Sequence, residues 1–414
     1  MPGAFHYREN VLYCEDVELS QLAARAGTPC YVYSAAALRA NFLAYERALE
    51  GVPHRVCYAV KANSNLAVLR LLAGLGAGFD IVSGGELFRV LKAGGDPSSV
   101  VFAGVGKTCE EIEYALESGI HSFNCESEAE LALISSLAVR LGTTASVAVR
   151  VNPDVDALTH PYISTGLREH KFGIDIHEVE DVYERARALP NLSLDGVSCH
   201  IGSQLLDLSP LIEAVAKLVA LALRLRARGF AIAHLDLGGS LGVPYRPEEA
   251  RPDLAGHLAR VRQLVEGHDL TLVFEPGRWI AADAGALLAR VLYRKRNGAK
   301  EFIIVDAAMN DLIRPALYQA WHEIVPVRKS HFGTITADVV GPICETGDFL
   351  ARDREVASVL PGDLLAVLTA GAYGFVEASN YNSRPRACEV LVDGAFWRVV
   401  RRRESREDLI RGEE

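Results

Sequence analysis

Eight short β-branched runs, each followed by a stretch of helical period, constrain this chain more than any other feature. The runs are RVCYAV, GFDIV, SVVFA, HSFNC, ASVAVRV, DGVSCHI, HLDL and TLVFE, spread from about residue 55 to 280. Between them lie segments such as LAVLRLLAGLG, GELFRVLKAGG and EEIEYALESG, with apolar residues three or four apart and a glycine near the end. Strand–helix alternation demands a parallel sheet covered by helices. Eight repeats predict an α/β fold closed as a (β/α)8 barrel, with a doubly wound sheet as the competitor.

The chain has 414 residues, enough for two domains. From residue 281 the runs EFIIVDA, TADVVGPIC, DLLAVLTAG, CEVLVDG and FWRVVRRR follow one another without long helices. Turn signals such as PGD and VDG separate them, which predicts an all-β domain, a sandwich or open barrel. Near the amino terminus VLYCEDVELS is expected to join it. The predicted division is residues 1–33 with the β-domain, 34–280 as the barrel and 281–414 as the β-domain proper.

A net charge of -10 argues against nucleic acid or an anionic membrane as a main partner. The start, MPGAFHYREN, shows no apolar signal core after a basic segment. The most apolar helical stretch, residues 211–227, is interrupted by Glu213, Lys217 and Arg224, too charged for a membrane span. Eight scattered cysteines without close pairs fit reduced thiols, so the expected location is the cytoplasm.

In a barrel, catalytic residues stand where strands end and their loops begin. Those positions hold Lys61, Asp80 and Ser83, Gly104, Glu126, Arg150 and Asn152, His200 and Ser203, Gly238 and Gly239, and Glu275 with Arg278. In CYAVKAN (57–63), Lys61 shares a strand face with Cys57 and Ala59 if the strand runs on. A buried ammonium must be paired, neutralised or covalently used. Alternatively the strand stops one residue early and Lys61 reaches water.

Pyridoxal phosphate (PLP) needs a lysine amine, an anion site, a partner for its ring nitrogen and a group against its ring face. Lys61 offers the amine. LDLGGSLG (235–242), with Gly238, Gly239 and Ser240, offers backbone N–H groups after strand seven, where barrels commonly hold phosphate. Glu275 in VFEPGR suits the ring nitrogen, or else pairs with Arg278. His200 in CHIGSQ suits the ring face, or else is a core imidazole. Asp80, Ser203, Gly277 and Arg278 complete the expected cofactor set.

Lys61 in YAVKAN, His200 in CHIGSQ, LGGSLG, EPGR, GPICETGD and AYGFVEASNYNSRPR together resemble the motif set of the fold-type III PLP-dependent decarboxylases. The resemblance runs from about residue 10 to 400 and is strongest to those acting on meso-diaminopimelate, which release carbon dioxide and L-lysine at the end of lysine biosynthesis. It implies an alanine-racemase-like barrel, a β-domain built from both chain ends, and a head-to-tail homodimer with active sites at the subunit interface. It implies PLP as cofactor and no metal. By the same resemblance, Cys344 of the second copy protonates the α-carbon, with Lys61 as the rival donor. Arg278, Arg314 and Tyr318 bind the distal carboxylate, Glu345 takes the distal ammonium, and Tyr373 touches both substrate and phosphate. Ser164 and Arg168, in the segment 159–174, contribute to specificity. Two positions depart from the family: Ser240 and Ala307 stand where glycine is usual. The alternative substrates on this fold are carboxynorspermidine and ornithine, which lack the distal carboxylate. A racemase would need a second base and a neutral ring-nitrogen partner in place of Glu275.

Overall fold

The computed structural model describes residues 3–155, 171–329 and 333–414. The chain divides into two compact units, one of Asn41–Val243 with Ala250–Trp279, the other of Met1–Ala40, Pro244–Glu249 and Ile280–Glu414. None of the described helices is long and apolar enough to cross a membrane.

The first unit is a closed barrel. Its strands are β1 (His54–Ala59), β2 (Gly78–Ile81), β3 (Val100–Phe102), β4 (Ser122–Cys125), β5 (Ala145–Asn152), β6 (Leu192–Ser198), β7 (His234–Asp236) and β8 (Thr271–Phe274). Each pairs in parallel with the next, and β8 pairs with β1. All eight predicted runs are therefore strands, and closure replaces the doubly wound alternative. The runs lack polar alternation because both faces of a covered parallel sheet are buried; Phe79, Phe102 and Phe123 are wholly enclosed.

Side-chain caps fix where several of the helices leave their strands. Ser83 accepts from Glu86 N, Thr108 and Glu111 form a reciprocal capping box, and Ser127 accepts from Glu130 N. The same helices end at Gly94, Gly119 and Gly142 in the left-handed conformation. Ser83, one of the rim candidates, is thus a helix cap.

The second unit is a mixed sheet. Its strands lie in the order Phe349–Ala357, Thr334–Val340, Lys300–Val305, Gly285–Asn297, Cys30–Ser34, Cys388–Asp393 and Phe396–Arg401. The long strand Gly285–Asn297 also pairs with Leu364–Val367, which in turn holds Ile324–Pro326. Cys30–Ser34 lies between strands from the far end of the chain, antiparallel to Gly285–Leu288 and parallel to Cys388–Val392. All five of its residues are buried, so it carries no alternating pattern and reads as a lead into the following helix.

VLYCEDVELS supplies Val11–Cys14 and Val17–Glu18, which form a separate three-stranded sheet with Phe5–Arg8. It meets the larger sheet through Leu12 N donating to Val327 O at 2.8 Å. Leu12, Leu19 and Leu22 share one core with Val32, Leu288, Ala366, Val390 and Val392. Each such leucine contributes about 1.5–3 kcal/mol by leaving water, so both chain ends are held by apolar contact.

Candidate active site

At the carboxyl end of the barrel, β1 stops at Ala59 and the chain turns through a 3-10 segment, Val60–Ala62, that carries Lys61. Lys61 therefore does not continue the strand's inner face; the early stop is what occurs. Its ammonium group does not simply reach water either, because it pairs with Asp80 on β2. The lysine side chain is 38% exposed and the aspartate 0%. Burial lifts the Asp80 carboxyl above the usual range, against the pull of Lys61. Asp80 Oδ1 is buried without a hydrogen-bond partner.

Glu275 follows β8 directly and is buried. Its Oε1 accepts from Asn124 Nδ2 at 3.1 Å, and the same amide donates to Asp236 Oδ2 at 2.7 Å. Burial, then the neighbouring Asp236 and Asp80, push the Glu275 carboxyl well above its ordinary range. Arg278 is buried and donates to Ser203 Oγ, from Nη2 at 3.1 Å and Nε at 3.3 Å.

The loop after β7 must be bare backbone. Gly238 has φ +64°, and a Cβ there would lie 2.6 Å from His200 Nδ1. A Cβ on Gly239 would lie 1.7 Å from Glu275 O. Gly238 N donates to Asp236 Oδ1 at 2.9 Å, and Gly239 N to His200 Nδ1 at 3.4 Å. Ser240, the departure from a third glycine, is buried with its Oγ 3.4 Å from the same His200 nitrogen. Desolvation, then Arg150 and Lys61, hold His200 well below its usual pKa, so the imidazole is neutral. Gly277 lets the chain after β8 approach β1, since a Cβ there would stand 2.9–3.0 Å from Ala62 and Ala59.

The rest of the rim is occupied by its own pairs. Arg150 Nη1 donates to Glu126 Oε1 at 2.7 Å, both buried. Lys107 Nζ donates to Gly104 O at 2.7 Å, Asn124 O at 2.9 Å and Glu130 Oε1 at 2.5 Å. Asn152 Oδ1 accepts from Asp154 N at 3.2 Å.

The second unit holds the remaining candidates. Cys344 and Glu345 are exposed on the GPICETGD loop. Asp348 braces that loop from behind, accepting from Met309 N and Ile343 N, each at 2.7 Å. Cys344 N donates to Asn382 Oδ1 at 2.8 Å, and Tyr381 OH donates to Glu345 Oε2 at 2.7 Å. The buried Arg314 guanidinium lies over the rings of Tyr245 at 5.2 Å and Tyr318 at 5.8 Å, with its Nε lacking a hydrogen-bond partner. Tyr373 sits at φ +54°. Ser164 and Arg168 lie outside the described residues.

The family model for the pyridoxal binding domain of pyridoxal-dependent decarboxylases matches residues 35–282. A diaminopimelate decarboxylase of Pseudomonas aeruginosa is 60% identical over 410 residues, 99% of this chain and 98% of that one. Its counterpart in Vibrio cholerae is 54% identical, with 98% and 97% covered. The chain belongs to the diaminopimelate decarboxylase family. Among solved structures, that family's member from Helicobacter pylori, complexed with L-lysine, matches with a TM-score of 0.92 at 44% identity, covering 95% of this chain and 98% of that one. The member from M. jannaschii, also in complex with L-lysine, gives 0.93 at 38% identity, covering 99% and 97%. The alanine-racemase-like architecture expected from the motifs is this family's, and its cofactor is PLP.

The barrel mouth fits that cofactor. It presents an amine beside a buried carboxyl with one unpartnered oxygen, a loop at Gly238 and Gly239 where no side chain fits, and a second buried carboxyl at Glu275. Three polar residues were not among the rim candidates: Asn124 lies within β4, Asp236 ends β7 but stands one residue before the end of the run HLDL, and Tyr381 holds Glu345. The usable signal for the first two was a polar residue inside an otherwise apolar strand (HSFNC and HLDL), which burial forces to find partners.

Proposed function

We propose that this chain catalyses the PLP-dependent decarboxylation of meso-2,6-diaminopimelate to L-lysine and carbon dioxide, the last step of lysine biosynthesis. The observation that carries the reading is the convergence of Lys61, His200 and Glu275 on one barrel mouth, in a chain that aligns end to end with diaminopimelate decarboxylases. Residues 34–280 form the cofactor barrel, with 1–33 and 281–414 as the β-domain.

Lys61 holds PLP through its amine, with Asp80 beside it. The loop of Gly238, Gly239 and Ser240, with Ser203, Gly277, Arg278 and Tyr373, takes the phosphate end. His200, kept neutral, lies against the ring without adding charge. Glu275 keeps the proton on the ring nitrogen, a task suited to a carboxyl that burial and Asp236 make strongly basic. Bound there, the cofactor supplies the electron sink for the pair left when carbon dioxide departs.

Arg278, Arg314 and Tyr318 bind the distal carboxylate, and Glu345 the distal ammonium. The unpartnered, buried Nε of Arg314 supports this, since such a donor costs free energy until a ligand accepts from it. Substrates lacking the distal carboxylate leave it unmatched, and sites of this kind discriminate by roughly 10⁴–10⁵-fold. Cys344 delivers a proton to the α-carbon from a second copy in a head-to-tail homodimer, with Lys61 as the other candidate. Exposure of both Cys344 and Glu345 in the single chain supports a cover supplied by that copy. Eight free cysteines suit the cytoplasm.

Product analysis tests the proposal. With PLP and meso-diaminopimelate, equal amounts of lysine and carbon dioxide are expected. Turnover of ornithine or carboxynorspermidine, with none of diaminopimelate, would overturn it.

A further inference from the structure

Asn124, buried on β4, stands between two buried carboxyl groups. Its Nδ2 donates to Asp236 Oδ2 at 2.7 Å and to Glu275 Oε1 at 3.1 Å. Both neighbours accept through carboxyl oxygens, so the amide turns its nitrogen toward them. Asp236 also accepts from Gly238 N, on Oδ1, at 2.9 Å. One run of hydrogen bonds therefore leads from the first amide of the glycine loop, through Asp236 and Asn124, to Glu275. Lys107 Nζ donates to Asn124 O at 2.9 Å, which pins the backbone that carries the amide.

We propose that Asn124 and Asp236 are positioning residues that set the proton affinity of Glu275 and hold it in register with the glycine loop. The inference rests on reading Glu275 as the partner of the cofactor's ring nitrogen. The two residues act in opposite directions. Asp236 places negative charge beside Glu275 where water is excluded, so it favours a proton on the pair formed by Glu275 and the ring nitrogen. Asn124 donates to the ionised carboxylate, so it favours that form and leaves the proton on the ring nitrogen. The other ionisable groups facing Glu275 are Asp80 and Lys61, with the Cys57 and Cys199 thiols. Arg150 faces Asp80, His200 and Cys199 from β5.

The test uses PLP-loaded protein carrying ¹⁵N in the cofactor ring. The ring-nitrogen NMR shift is followed against pH, and kcat and KM are measured in parallel. Asp236→Asn is expected to bring the alkaline loss of the ring proton down by about one pH unit, a tenfold fall in proton affinity. Asn124→Ala is expected to move the transition up, to shift the ring signal toward its unprotonated value at neutral pH, and to lower kcat more than it changes KM. Asp236→Glu, which keeps the charge, should restore the wild-type transition. If Asp236→Asn does not fold, Asn124→Ala and Asn124→Asp carry the test: both must raise the transition, the added anion more. Glu275→Gln separates this inference from the reading beneath it. An unchanged ring signal in that variant removes Glu275 from the ring nitrogen. A changed signal there, with Asn124 and Asp236 variants that titrate like wild type or shift the same way, overturns this inference alone.

Discussion

Asp80, Asp236 and Glu275 at the barrel mouth are buried and bonded, whereas Cys344 and Glu345 on the sheet unit stand in solvent. In the barrel each carboxyl has a partner within the same unit: Lys61 for Asp80, Gly238 N and Asn124 for Asp236, Asn124 for Glu275. A buried polar group without partners costs about 1–3 kcal/mol, so folding this unit also aligns its chemistry. On the sheet, Asp348 and Asn382 brace the backbone behind Cys344 and Glu345, and Tyr381 OH holds the Glu345 carboxylate, but both residues stay exposed. The barrel mouth is therefore organised by its own fold, whereas under the proposed function the exposed sheet loop works only against a second copy.

The largest expected effect breaks the barrel half. Lys61→Ala should remove the visible absorbance of bound PLP and reduce activity to background. A persisting band would place the cofactor on another lysine. Lys107 is a poor candidate, since its amine is buried and already donates to three oxygens. Cys344→Ala should break the other half differently. Turnover should fall by about 10²–10⁴-fold, the range for a positioned proton donor. PLP absorbance and Tm should stay near wild type, because the side chain is exposed. An equal loss of cofactor would contradict the proposed role.

Gly239→Ala sharpens the contrast through packing. The added methyl meets the backbone oxygen of Glu275, which lies in a strand-end that cannot easily yield. A destabilisation of about 1–3 kcal/mol in urea unfolding, with weakened PLP binding, is expected. Wild-type stability and affinity would show that the loop has room.

The smallest effects distinguish the units by pH. Burial holds His121, just before β4, down to about 4. Its stabilising effect is present above the unfolded pKa near 6.5 and is lost as pH falls toward 4. Burial lifts Asp311, in the sheet unit, to about 7. Its effect is present below about 4 and is lost as pH rises through 7. His121→Asn should flatten the acid limb and Asp311→Asn the neutral limb, each by about 1 kcal/mol. Thermal melts from pH 4 to 8 check both signs.

What was readable from the chain alone follows the same division. A covered parallel strand leaves a short apolar run and its helix leaves caps, so all eight barrel strands were legible. Lys61, His200 and Glu275 stood out because they end such runs. Asn124 did not, because it lies within β4, and Asp236 did not, because the apolar run HLDL reads one residue past the strand's true end. Lys61's local geometry was also hidden: one residue decides between a continuing strand and a 3-10 turn, and its partner Asp80 lies 19 residues away. Cys30–Ser34 was illegible for the opposite reason, its five buried residues resembling the start of the next helix. Its pairing with residues near 390 is a long-range fact that no local pattern records.

Mixing the Lys61→Ala and Cys344→Ala proteins tests the central claim, that one copy's barrel works with another copy's sheet loop. Each variant alone should be inactive or nearly so. After exchange of subunits, one native site per mixed dimer should return about one quarter of wild-type activity. No recovery, in a mixture shown to contain mixed dimers, would mean that both groups serve the site from the same chain.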